Sequence, residues 1–418
     1  MLTKCCTSFF AVMAFLLSSL STFAAETYWP GWLGPERNGW VANFEPPVLW
    51  PPKLTLVWNI EVGSGYATPL VSGDRIYQYA RQGEEEVLLC LALKTGKQIW
   101  KKSYEVPFKM GGGGEWHGKG PKAAPILADG RLFTMSISGI LSGWDAETGK
   151  LLWRKDYDEQ FDANTPYWGA CTSPIVDEDR VIVHFGNDDA GVLVALDVET
   201  GDEIWKQGKD GAAYASPLLV ETQGVRQVVE WNHRALAGIN SKTGELLWEY
   251  PFAHVGTNQN MPTPVFYDGT ILVGGENRGV RRVEAKREGS NWSVKELWHQ
   301  KKVALDMSTA VINDDKLYGF SHYKKGQLFC LAAETGDILW QGPGRSGQNA
   351  TFLSVPGHVL ALLDTGELQV VKATDDKFNK VASYEVSEEP TWAAPVLLSD
   401  GILVKNRESL LLWSLPRN

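Results

Sequence analysis

Cysteine is scarce in this chain. Of the five present, Cys5 and Cys6 lie in the first few residues, which leaves Cys90, Cys171 and Cys330. An odd number without tight spacing excludes a disulfide framework and a zinc site. Cys90 in "LLCLALKTG" and Cys330 in "LFCLAAETG" hold one repeat position and read as small buried hydrophobes. Seven His leave little scope for a metal cluster. Positive charge is also short: 40 Lys and Arg against 50 Asp and Glu give a formal net charge of -10. That is no footprint for a nucleic-acid partner. After the N-terminal segment no apolar run reaches the roughly 18 residues of a membrane helix. Also missing are Gly-x-Ser-x-Gly, His-Glu-x-x-His, a Walker-type phosphate loop and Cys-x-x-Cys-His. "GGGGEWHG" (111–118) is glycine-rich but lacks the strand-to-helix context of a phosphate loop, so it reads as a link carrying His117.

The first segment, "MLTKCCTSFFAVMAFLLSSLSTFAAE", predicts a cleavable secretory signal over residues 1–24. Lys4 supplies the positive start, residues 9–20 the apolar core and Thr22-Phe23-Ala24 the small-residue cleavage site. A lipid anchor would need a Cys just after that core, and Cys5 and Cys6 precede it. The expectation is an exported, soluble protein, periplasmic or extracellular and monomeric.

What the chain has in quantity is tryptophan, 18, and glycine, 42, and both are periodic. "DAETGKLLW" has close variants in "LKTGKQIW", "DVETGDEIW", "NSKTGELLW" and "AAETGDILW". The residue closing each unit is Trp58, Trp100, Trp153, Trp205, Trp248, Trp298, Trp340 or Tyr384, every 42 to 53 residues. Between these marks comes a short strand after a small residue and often Pro ("TSPIV", "ASPLL", "PTPVF"). A tight acidic or glycine turn, a second strand, a third strand, the Thr-Gly turn and a fourth strand ending on the Trp follow. Four-stranded units of about 40–45 residues that cannot bury both faces alone stack around an axis as propeller blades. The repeats predict an all-β, eight-bladed β-propeller of four-stranded antiparallel blades over residues 54–415, with seven blades as the fallback. The segment 54–62 is expected to supply the last blade's missing strand, removing two free edges. The units ending at Trp298 and Tyr384 are degenerate. A leader over residues 25–53, with three Trp within residues 28–40, is expected to pack on the propeller.

This repeat resembles the pyrroloquinoline-quinone (PQQ)-type propeller repeat of quinoprotein alcohol dehydrogenases and of the BamB lipoproteins of outer-membrane β-barrel assembly. "YWPGWLGPERNGW" (28–40) resembles a W-P-x-W-R-G-P-x-R-x-G leader of secreted PQQ-like proteins, with Leu33 in place of the Arg. The resemblance implies the fold and leaves the function open. A quinoprotein would need an adjacent-cysteine disulfide, a calcium held by oxygen ligands and an aspartate base. The only adjacent cysteines are Cys5 and Cys6, in the segment removed on export. Glu276 and Asn277 are the right ligand types, as weak metal candidates, and Asp188 or Asp306 could act as base. The leading expectation is therefore no catalytic residue and no cofactor, with PQQ and calcium as the alternative.

Strand direction places the Thr-Gly turns on one face. The opposite face gathers the loops between second and third strands and the blade-to-blade links. Its loops carry Arg81, Asn187, Asp188, Asn232, His233, Asn277, Arg278, His322, Tyr323, Asn406 and Arg407. Its links carry His117, Trp168, Tyr214, Asn260, Asn349 and Trp392. Converging on the channel mouth, these are the candidate ligand or partner residues. Asn also suits tight turns, so the repeated Asn has a purely conformational reading too. The expected function is a secreted, non-catalytic propeller that binds a ligand or partner protein on this face, and the resemblance to BamB implies a scaffold or assembly role in the cell envelope. The alternatives are an enzyme at the channel mouth and a polysaccharide-binding module.

Overall fold

Second and third strands carry unbroken apolar runs because each blade is covered on both faces by its neighbours. Every residue of Arg180–Gly186 is buried, and so is all of Gly191–Asp197 except its last residue. Outer strands alternate instead: in Glu203–Gln207 only Trp205 is buried. The computed structural model describes residues 27–109, 117–157, 160–161, 165–256, 259–374 and 377–415. The expected signal segment and link residues 111–116 lie outside the described residues. Eight antiparallel sheets surround one axis, so the seven-blade alternative falls away. In the eighth, Thr55–Glu61 pairs with Ser409–Ser414 and closes the ring.

The repeated Thr-Gly turn and the repeated Trp form one device. Asp145 Oδ1 accepts the Thr148 amide at 2.8 Å and its hydroxyl at 2.5 Å. Asp197 and Asn240 accept the amides of Thr200 and Thr243 in the same way. In the third blade the turn glycine, Gly201, has φ +73°, and a Cβ there would lie 2.7 Å from the Trp153 ring of the blade before. The glycine therefore serves both the left-handed backbone and the neighbouring indole. Each indole N–H then donates to a carbonyl of the next blade's turn. Trp58 reaches Leu93 at 3.1 Å, Trp100 Glu147 at 3.0 Å, Trp153 Val198 at 3.1 Å and Trp205 Ser241 at 3.0 Å. Trp298 reaches Ala333 at 3.2 Å and Trp340 Thr374 at 3.1 Å. Trp248 and Tyr384 differ from this pattern. Trp248 donates to Gln227 of its own blade, and the Tyr384 hydroxyl to Pro51 of the leader.

A second belt surrounds the channel. The residue before the proline position of each inner strand is Thr68, Ala124, Ser173, Ser216, Thr263, Thr309, Thr351 or Ala394. From the second blade to the fifth, each of these amides donates to the next blade's hydroxyl. Ala124 donates to Ser173, Ser173 to Ser216, Ser216 to Thr263 and Thr263 to Thr309, all at 2.9–3.0 Å.

The leader crosses the channel on the side of the tight turns that follow the inner strands. Tyr28–Trp29 adds a fifth strand to the first blade against Leu70–Ser72. The Pro30 carbonyl accepts the Leu127 amide at 2.7 Å. The Arg37 guanidinium donates to the carbonyls of Pro174 and Ser173 at 3.1 and 3.3 Å, and burial pushes its pKa down to about 10. Gly39 and Val41 exchange backbone hydrogen bonds with Ser354 of the seventh blade. Trp29, Leu33, Phe44 and Trp50 are buried in a core shared with the first, seventh and eighth blades.

Candidate binding funnel

Because the leader blocks one end of the channel, the other end is a blind funnel of about 360 Å³, with Trp32 and Leu33 among its lining residues. Its wall follows from the repeat. Three residues before each proline position stand Tyr66, Lys122, Cys171, Tyr214, Met261, Met307, Asn349 and Trp392, one per blade, and all eight line the funnel. The belt residues Ser173, Ser216, Thr263, Thr309 and Thr351 lie just below them.

Two link residues, His117 and Trp168, complete an aromatic collar. The His117 ring stands edge-on to Trp392 at 4.9 Å and to Trp168 at 5.5 Å. Tyr66 meets Trp392 at 6.5 Å, and Tyr167 meets Trp168 at 5.2 Å. Burial, with Lys122 and Arg407 nearby, pushes His117 down to about 4, so its ring is neutral at ordinary pH. The Tyr214 hydroxyl accepts the Trp168 amide at 3.0 Å, and burial raises its pKa. Lys122 Nζ donates to the Trp168 carbonyl at 2.7 Å. Burial lowers its pKa, with only the Cys171 thiol acting the other way. Arg407 stands beside the Tyr66 hydroxyl, which holds its guanidinium above the usual value.

Of the residues singled out in the sequence, the fold brings His117, Trp168, Tyr214, Asn349 and Trp392 together in the funnel. Most of the others spend their hydrogen bonds on the loops themselves. Asn187 Oδ1 accepts the amides of Asp189 and Ala190, Asn232 those of Arg234 and Ala235, and Asn406 those of Glu408 and Ser409. This is one side-chain-to-backbone turn repeated in three blades. Arg81 is buried against the Gly83 and Val106 carbonyls and Glu84. Asn260 is fully buried, donates to the Asn232 carbonyl and accepts from Arg278 at 2.7 Å. Arg278 also lies over Trp231 and Phe252 and bonds the Gln259 carbonyl. His233 contacts Asp188, and its ring lies tilted against His254 at 4.6 Å. Asn277 Oδ1 meets His322 Nε2 at 3.0 Å, and Tyr323 packs on His322. Glu276 and Asn277 do not line the funnel. Among the described residues no group of three or more His, Cys, Asp or Glu is placed to hold a metal ion. Lys122, Cys171, Tyr66 and the floor residue Trp32 were not singled out in the sequence. The column three residues before the proline would have found the first three.

Among solved structures, a quinohemoprotein alcohol dehydrogenase from Pseudomonas putida HK5 superposes with a TM-score of 0.70 at 14% identity. It covers 93% of this chain and 80% of that one. Among curated proteins, the outer membrane protein assembly factor BamB of Yersinia pestis is 22% identical over 288 residues, 68% of this chain and 71% of its own length. The quinohemoprotein alcohol dehydrogenase of Comamonas testosteroni is 26% identical over 272 residues, but the match spans only 36% of that protein. A family model described as "Outer membrane protein assembly factor BamB" matches residues 83–342. That match takes in more than half of the chain, and the chain belongs to this PQQ-type repeat family.

Proposed function

We propose that the chain is an exported propeller that works by binding, and that it takes a segment of a partner protein of the cell envelope into the funnel on its link face. The observation that carries this reading is the blind, aromatic-collared funnel, the default form of a ligand site. The kinship with BamB assembly factors supports an envelope role. The quinoprotein alternative fits these residues poorly. Its weak calcium candidates, Glu276 and Asn277, lie outside the funnel lining, and Cys171 is a single thiol there. A polysaccharide partner would use the same Trp168 and Trp392 as stacking platforms, so the nature of the captured molecule separates the two.

A photo-crosslinking amino acid in place of Trp392, in the exported full-length chain, tests the reading. The control position is Thr148, in a Thr-Gly turn on the opposite face. Adducts from position 392 to an outer-membrane assembly protein, absent from position 148, are expected. Adducts from position 148 alone would place the working surface on the other face and overturn the proposal.

A further inference from the structure

The eight residues of the funnel ring differ sharply in chemistry. Three are aromatic, two are Met, one is Cys, one is Asn, and Lys122 is the one charged member. An ammonium in such surroundings loses hydration that its neighbours do not replace. Among the described residues, its hydrogen bond to the Trp168 carbonyl satisfies one of three donors. Among the described residues no carboxylate lies within ion-pairing distance of it, whereas Arg75, Arg131 and the buried Arg282 each have one. The wall beside it is made of rings: Trp168, whose carbonyl Lys122 holds, then His117 and Trp392 in edge-to-face contact. With His117 neutral, the ring offers a single deep positive charge. The whole chain is acidic, so this charge is a local departure from its surroundings.

We propose that the funnel binds an aromatic monocarboxylate, with Lys122 Nζ pairing with the carboxylate and the Trp168–His117–Trp392 collar enclosing the ring. A carboxylate supplies the acceptors that the ammonium lacks and forms the stronger, charge-assisted kind of hydrogen bond. The ring gains edge and face contacts of the sort aromatic side chains make with each other. The ligand class rests on the funnel being the working site. Two sources share this chemistry: a free aromatic acid, and the carboxyl-terminal aromatic residue of a polypeptide.

Calorimetric titration of the exported protein, leader intact, tests it with three probes. These are 3-phenylpropanoate, a short peptide ending in Phe with a free carboxylate, and the same peptide as its amide. The free acid or the free-carboxylate peptide is expected to bind, and the amide roughly tenfold to a hundredfold more weakly, as for loss of a charged hydrogen bond. Lys122→Met should cost about as much for the acids and nothing for the amide, and Lys122→Arg should restore part of the affinity. A melting temperature for each variant separates lost binding from lost fold. Tighter binding of the small acid assigns the site to a free molecule, and tighter binding of the peptide assigns it to a chain terminus. Equal binding of acid and amide, an acid affinity unmoved by Lys122→Met, or no binding of either acid at millimolar concentration overturns the proposal. Loss of the position-392 adducts in Trp168→Ala but not in Lys122→Met would keep the funnel and discard the carboxylate.

Discussion

Gly201→Ala and Gly208→Ala are one chemical change at two places that differ in a single respect. Both glycines have positive φ, +73° and +83°. An Ala in that region costs about 1–2 kcal/mol wherever it stands. At Gly208 a Cβ would meet nothing within 4 Å, so that cost is the whole effect. At Gly201 it would meet the Trp153 ring at 2.7 Å, and Trp153 is held by its indole hydrogen bond to Val198. The ring cannot retreat without losing that bond. Overpacking of this kind adds about 1–3 kcal/mol, which brings Gly201→Ala to about 2–5 kcal/mol. Urea unfolding should show the difference as a displaced midpoint at unchanged slope. A double variant with Trp153→Phe makes the assignment sharper. The smaller ring leaves room for the methyl, so the double variant should be more stable than the two single effects summed, by about 1 kcal/mol or more. Equal costs at the two glycines, or strict additivity with Trp153→Phe, would refute the idea that the turn glycine is there for the neighbouring indole.

Two further outcomes follow from the closure of the ring. Lys405 Nζ is fully buried and shares its N–H groups among four carbonyls within hydrogen-bonding distance, those of Gly63, Gly65, Asn406 and Arg407, joining the segment after the first long strand to the eighth blade. Burial pushes its pKa down to about 7. The unfolded chain keeps the proton up to about pH 10, so between pH 7 and about 10 it binds more protons than the folded chain, and stability rises with pH across that window. Lys405→Met should flatten that rise in a series of melting temperatures, and an unchanged slope would dismiss Lys405 as its source. Deleting residues 28–40 removes the Pro30 and Gly39 backbone bonds and the burial of Trp29, which is 3% exposed. Loss of a buried Trp alone is worth about 3–5 kcal/mol, so the melting temperature should fall by several degrees, and an unchanged value would show that the leader merely lies on the surface.

The blades were legible because their signals are local and repeated. A Thr-Gly turn, a Trp at fixed offset and a small residue before Pro each report a backbone event within a few residues. The ring closure by residues 54–62 was legible because the last unit lacks a strand. The site was legible only in part. Asn187, Asn232 and Asn406 drew attention by recurring, and they recur because three loops need one turn. The funnel wall is marked by the opposite property: a position fixed by the repeat at which eight blades carry six different residue types. Lys122 stands in that column as plainly as Trp392 does, yet "GKGPKAAP" reads locally as a solvated loop. The leader's path depends on backbone carbonyls and amides of Pro30, Gly39 and Val41, which carry no side-chain pattern to read.

The architecture separates what holds the ring together from what the ring can recognise. The belt of Ser173, Ser216, Thr263 and Thr309 ties successive blades through backbone amides and short hydroxyls. It works the same way whatever stands two residues earlier in the funnel wall. The wall position can therefore vary from Lys to Trp to Met without disturbing the belt. The two blades whose belt residue is Ala, at Ala124 and Ala394, are those that present Lys122 and Trp392. These are the charged residue and the largest ring of the wall. Ala124 still donates its amide to Ser173, so the second blade is tied forward but offers no hydroxyl for the blade before it. The leader then supplies what eight similar blades cannot, a floor made of Trp32 and Leu33 rather than an open bore. A symmetric ring with one irregular strap across its base thus becomes an asymmetric container, with its single charge at one place on the wall.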